Sequence, residues 1–240
     1  MAVVATDLNY FDGDTLCKGV YFAPENAQGP LPVVLVCHAW DGLIGEVRDK
    51  ATKLAESGYI AFAIDVYGDG KTFSDMATQL NEALGPFMSD RAMLLARMQA
   101  ALAAAKEIPG ADTSRIGAMG YCFGGMCVLD LARAGGTELK ASVSFHGALL
   151  PNGLDTPAKI DTKILCLHGH DDPMVPPEQV NAFTAEMTEK KADWQFLSYG
   201  NTVHAFTRPD ANFPDVGAVY NPLTDKRSWQ AMLSFFEEVL

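Results

Sequence analysis

The sequence predicts an α/β fold, an open and mostly parallel central sheet with helices on both faces. Three observations lead there. Strand-like and helix-like segments alternate along the chain, most strand-like segments are continuous apolar runs, and chemically capable residues gather just past the ends of those runs. Continuous apolar runs mark parallel strands that helices cover on both sides, whereas half-exposed strands alternate. No repeat, low-complexity tract or linker divides the 240 residues, so residues 1–240 are expected to form a single domain.

The elements follow in order. Strands are expected at residues 15–22, 33–37, 60–64, 116–120, 141–145, 164–168 and 195–199. The N-terminal strands are joined by the turn-rich stretches FDGDT and PENAQGPLP, which predict an antiparallel edge. Apolar residues at helical spacing predict helices over 47–57, 92–106, 124–134, 178–190 and 228–240. The long stretch 65–90, with Gly68, Gly70 and Gly85, reads as a mobile flap or a plain connector.

Acidic residues outnumber basic ones by 30 to 18, a net charge of −12. This balance argues against nucleic acid and against an anionic membrane surface as partners, and does not identify a substrate; a small-molecule substrate is expected from the site residues below. No stretch is long and apolar enough to span a bilayer, and the start MAVVATDLNYFDGD lacks the basic and apolar regions of a signal peptide. The five cysteines, at 17, 37, 122, 127 and 166, form no Cys-x-x-Cys pair. They read as reduced thiols of a cytoplasmic protein.

Sites in open α/β sheets lie beyond the C-terminal strand ends. Those ends deliver His38, Cys122, Asp172 and His204 to one rim. Gly120-Tyr121-Cys122-Phe123-Gly124 fits the glycine-x-nucleophile-x-glycine elbow, with cysteine where serine is usual. The strained turn needs neighbours without side chains, so that strand and helix can pass closely. The helix start would lower the thiol pKa, and the Phe123 N–H would point at a developing oxyanion. A Gly-rich turn around a buried cysteine explains less, and the G-x-G-x-x-G spacing of a dinucleotide turn is absent. Nucleophile, acid and histidine should follow in that chain order. Asp171 or Asp172 in HGHDDP and His204 in GNTVHAF supply the last two.

Together GYCFGG, HGHDDPMVPPE, HAFTR and the upstream SGYIAFAIDVYGDG resemble the dienelactone hydrolase family of α/β-hydrolases over most of the chain. The resemblance implies the α/β-hydrolase fold and a Cys-His-Asp triad without cofactor or metal, with Cys122 as nucleophile and His204 as base. The family pattern G-x-x-D-x-x-V-P fits Gly169, Asp172, Val175 and Pro176, and so selects Asp172. It also places a second oxyanion donor at the backbone N–H of Trp40.

Two departures stand out. Ala39 occupies the position where the family's HEAFGL-like segment carries a glutamate, so a substrate-assisted switch through that carboxylate is missing unless Asp41 or Glu46 fills the gap. Of the family's carboxylate clamp only Arg208 finds a match. The expected pocket is broader and more apolar, with Trp40, Phe73, Phe87 and Phe206 as candidate walls and Arg208, Trp40 and Phe206 as substrate contacts.

A thiolate, a histidine and two backbone donors suit acyl transfer on activated esters or lactones, with the same groups able to attack activated phosphotriesters. Rival readings are a metal-dependent hydrolase built on His168, His170 and Asp172, a non-catalytic ligand-binding protein on a hydrolase scaffold, and redox sensing at Cys122, which needs a resolving cysteine, while Cys127, five residues along the expected helix, is expected on another face.

Overall fold

A computed structural model describes residues 2–136 and 138–240. Eight strands form one sheet in the order β1-β2-β4-β3-β5-β6-β7-β8. They are β1 (Val3–Asp12), β2 (Thr15–Pro24), β3 (Leu31–Cys37), β4 (Ile60–Ile64), β5 (Ala111–Tyr121), β6 (Leu139–Phe145), β7 (Lys163–Gly169) and β8 (Trp194–Tyr199). The first two pair antiparallel as a hairpin, β2 pairs antiparallel with β4, and every pair from β4 to β8 is parallel.

Six helices cover the sheet: α1 (Gly45–Glu56), α2 (Met76–Ser89), α3 (Arg91–Lys106), α4 (Phe123–Ala134), α5 (Pro177–Glu189) and α6 (Pro222–Val239). The strand alternation sorts them. Val33, Leu35 and Cys37 of β3 face one core, which takes in Leu94 and Met98 of α3, Leu131 of α4 and Phe183 of α5. Val34 and Val36 face the other, beside Val47 and Leu54 of α1 and Trp229 and Phe236 of α6. Burial on both faces is why these strands contain so little polar sequence.

Helix starts follow local chemistry. Asp75, Asp90 and Asn221 each lend a side-chain oxygen to a free N–H of the first turn, at Ala77, Met93 and Thr224 respectively. Pro177 and Pro222 open α5 and α6, where a missing N–H costs nothing.

Segment 65–90 is not a plain connector, because α2 occupies its second half. Its first half is tied down by Asp65, whose carboxylate accepts hydrogen bonds from the backbone N–H groups of Lys18, Gly68 and Gly70. Between β8 and α6, β9 (Asn212–Phe213) and β10 (Ala218–Val219) form a short hairpin beside His204. No helix among the described residues is long and apolar enough to cross a membrane.

Candidate active site

The turn from β5 into α4 creates the site. Cys122 sits there at φ 54° and ψ −115°, a backbone conformation that side chains rarely adopt. Its N–H donates to the Phe145 carbonyl of the adjacent strand at 3.0 Å, which holds the strained residue in place. The glycines on either side are steric necessities. A Cβ on Gly120 would stand 2.2 Å from the Gly124 carbonyl oxygen, and one on Gly124 would stand 2.4 Å from the Cys37 carbonyl oxygen. Phe123 begins α4, and the N–H of a first helical residue has no partner within its helix.

Three side chains from three strand ends meet in line. The His204 ring faces the Cys122 sulfur with Nε2 at 3.2 Å, and its Nδ1 lies 2.8 Å from Asp172 Oδ2. A carboxylate only accepts, so Nδ1 is the protonated nitrogen. Asp172 is buried, and its other oxygen accepts from the Met174 N–H. Asp171 points elsewhere, accepting from the Thr202 N–H at 3.2 Å. His204 itself is anchored on the β9–β10 hairpin, with N–H to the Gly217 carbonyl and its own carbonyl to the Val219 N–H. Burial alone would depress the imidazole's pKa. The thiolate charge of Cys122 and the Asp172 hydrogen bond outweigh it and raise His204 to about 10.

Residues 38–42 form the loop facing the elbow, and their carbonyls are pinned. His38 is fully buried; its Nε2 accepts from the Val66 N–H, so Nδ1 carries the proton that bonds the Ala39 carbonyl at 2.6 Å. The Tyr67 hydroxyl donates to the Trp40 carbonyl at 2.6 Å, and the Phe73 N–H donates to that of Asp41. His38 is therefore a strut of this loop and not a rim residue. Tyr67 stacks on Phe123 and touches Phe87, so one aromatic cluster braces both sides of the elbow.

Several expected contacts fall differently. Phe206 is fully buried behind the site, packed on His146 and Tyr199, so it is core and not a substrate contact. Phe87 is buried as well, while Trp40 and Phe73 remain partly exposed. Arg208 is bound to Asp41, Asp210 and Glu46, and is not free for a ligand. Glu46 lines a void of about 10 Å³ beside Ala39 and Tyr121, but its ion pair is with Arg208. His168 packs on Phe196, and exposed His170 meets Ser198; neither joins Asp172, which is held by His204. Among the described residues no three His, Cys, Asp or Glu side chains cluster as a metal site. Cys127 is fully buried in the core.

Two further side chains contribute, Tyr67, to which no motif gives a role, and His146, which the sequence offers only as a possible metal ligand. Tyr67 follows the end of β4, and His146 follows the end of β6 at φ 39°. The His146 ring packs edge-on against His204, bonds the Thr207 hydroxyl at 2.8 Å, and is kept neutral by burial and by the neighbouring His204. Both obey the strand-end rule that located the other groups.

The model of the dienelactone hydrolase family matches residues 17–240. The chain belongs to the dienelactone hydrolase family. As a member it is a hydrolase of ester bonds, lactones included. The family fold is shared at high fidelity with a dienelactone hydrolase-like promiscuous phosphotriesterase from metagenomic libraries, which is 39% identical with a TM-score of 0.94, over all of this chain and 99% of that one. A Caenorhabditis elegans protein, uncharacterised, is 40% identical over 153 residues, 62% of this chain and 97% of its own length. A protein of Escherichia coli (strain K12), provisionally named carboxymethylenebutenolidase, is 29% identical over 226 residues, 90% of this chain and 80% of its own.

Proposed function

We propose that this dienelactone hydrolase relative is a thiol hydrolase of activated esters and lactones, working through a covalent thioester. The observation that carries the reading is the hydrogen-bonded line from Cys122 through His204 to Asp172, with its sulfur on a strained turn at a helix start. His204 holds the Cys122 proton, and the thiolate attacks the substrate carbonyl carbon. The resulting oxyanion is held by the backbone N–H groups of Trp40 and Phe123. Collapse breaks the ester C–O bond, and the leaving oxygen takes the proton from His204. A water then gives its proton to His204 and attacks the thioester, releasing the acid and restoring the thiolate. Asp172 keeps Nδ1 protonated throughout, which leaves Nε2 to exchange protons. These groups and water complete the cycle without a cofactor.

A second reaction follows from the same parts. Attack on an activated phosphotriester also builds negative charge on one oxygen, and the 39% identical metagenomic relative bears that activity in its name. We extend it to this chain as a side activity on aryl phosphotriesters, which carry no charge.

The test is turnover of a p-nitrophenyl ester panel and one aryl phosphotriester, before and after alkylation, with intact-mass detection of the labelled thiol and with an EDTA control. Loss of both activities in step with labelling of Cys122, and indifference to EDTA, is the expected result. Activity that survives full labelling of Cys122 would sink the reading.

A further inference from the structure

We propose that Arg208 is the closed half of an ion-pair clasp, and that the acidic rim it shares with Asp41, Glu46 and Asp210 makes the enzyme prefer uncharged or cationic acyl groups over anionic ones. This rests on the hydrolase reading above and names the substrate class of that site.

The geometry is specific. Arg208 donates from Nη1 to Asp41 Oδ2 at 2.5 Å, and from Nε and Nη2 to the two oxygens of Asp210 at 2.7 and 3.3 Å. Glu46 adds a third carboxyl group, 3.7 Å from Nε and ionised above about pH 7. One guanidinium thus answers three carboxylates. Lys50, also within reach of Glu46, is engaged with Asp225 and with the Thr207 carbonyl. The excess charge around Arg208 is negative.

Its position makes that excess matter. Asp41 belongs to the loop that carries Trp40, and Arg208 lies one turn after His204, its N–H bonded to the Ala205 carbonyl. The clasp therefore ties the loop of the proposed oxyanion donor to the turn that follows the base. It cannot open cheaply for a ligand. Asp41 is only 3% exposed, and a substrate carboxylate that captured Arg208 would strand a buried charge. An anionic acyl group meets repulsion instead, while a neutral one meets none.

The experiment compares kcat/KM for p-nitrophenyl pentanoate and for the p-nitrophenyl monoester of succinic acid, each corrected for its uncatalysed rate. The anionic ester should lag on the order of tenfold, the scale on which local charge steers small ions. Raising salt from about 20 to about 500 mM should close the gap, because screening weakens repulsion. Asp41→Asn and Glu46→Gln should each raise the anionic-to-neutral ratio. A ratio that falls with salt, or that neither variant moves, overturns the proposal.

A second readout is independent of turnover. The rate of Cys122 alkylation by iodoacetate relative to iodoacetamide should rise in both variants, and an unchanged ratio counts against the clasp. Absence of any neutral-ester turnover would fail the hydrolase reading, while the alkylation ratios would still decide the clasp. Where Asp41→Asn does not fold, Glu46→Gln and the salt series on the native enzyme carry the decision.

Discussion

At the scale of single residues, Cys122 and His204 are electrically joined, and each should report on the other. The thiolate charge and Asp172 together raise the imidazole to about 10, so Cys122→Ala and Asp172→Asn should each lower the His204 pKa in an NMR titration. A value unmoved by both would mean the pair is not coupled. Cys122→Ala should also reduce kcat by about 10⁴-fold or more, with the melting curve near that of the native enzyme. Cys122→Ser should keep only a remnant, because a hydroxyl gives up its proton far less readily. Glu46 offers a pH test. Burial, against the pull of Arg208 and Lys50 and with the push of Asp41 and Asp210, raises its carboxyl to about 7. Its ionised form is thus disfavoured by folding: no penalty below the unfolded value near 4.5, a growing one between there and 7, the full one above. Glu46→Gln should therefore melt higher than the native enzyme above pH 7 and alike near pH 4.5, by thermal scans at both. The line of Cys122, an aspartate and His204 was expected because motif and chain order are local facts, whereas the choice of Asp172 over Asp171 came from the family resemblance. The Arg208 clasp was not, since its carboxylates come from a loop and a helix more than 160 residues upstream as well as from two residues on.

Elements set the positions that those residues exploit. Gly124 lets α4 rest on the carbonyls of Cys37 and His38, 2.4 and 2.5 Å from where a Cβ would be. Backbone cannot swing aside as a side chain can, so Gly124→Ala should cost on the order of 3 kcal/mol, measured by urea unfolding. Tyr67 holds the Trp40 carbonyl in the loop proposed to supply an oxyanion donor. Tyr67→Phe removes that bond from a part-buried carbonyl, a loss worth about 1–3 kcal/mol. We expect kcat on esters to fall about tenfold while iodoacetamide labels Cys122 at the native rate, since alkylation builds no oxyanion. Equal losses in both would assign Tyr67 to general folding. The continuous apolar strands were readable from sequence, and β4 was read to its ends. The strand β1 was not delimited because VVATDLNYFD is half polar, as a largely exposed edge permits. Helix α2 was missed because Gly85 and Pro86 interrupt it and only Ala83 and Phe87 are buried, too few to mark a helical period.

Across the whole molecule, stability should be unevenly shared. The strands from β3 to β7 are buried on both faces apart from the start of β5, whereas α2 buries two residues and β1 leaves most of its length in water. Hydrogen exchange should find α2 and β1 opening far more readily than the central strands, with α4 protected like the sheet it packs on. Uniform protection would contradict this division. The α/β class and the parallel sheet were legible because double-sided burial writes itself into composition. The antiparallel edge was legible from its turns, but that β2 pairs with β4 depends on contact between distant segments, which no local run encodes.

The contact of Gly124 with the carbonyls of Cys37 and His38 has a consequence for how such a protein can diverge. Because the elbow and the opposing loop touch backbone to backbone, they move as one rigid part, and no substitution can retune the spacing of thiol and amides without disturbing both. Novelty must come from the walls: Asp41, Glu46, Arg208 and the weakly held α2. A lineage can exchange its walls again and again while inheriting the same reactive centre, so kinship in the elbow speaks to how an attack is made and not to which molecule receives it.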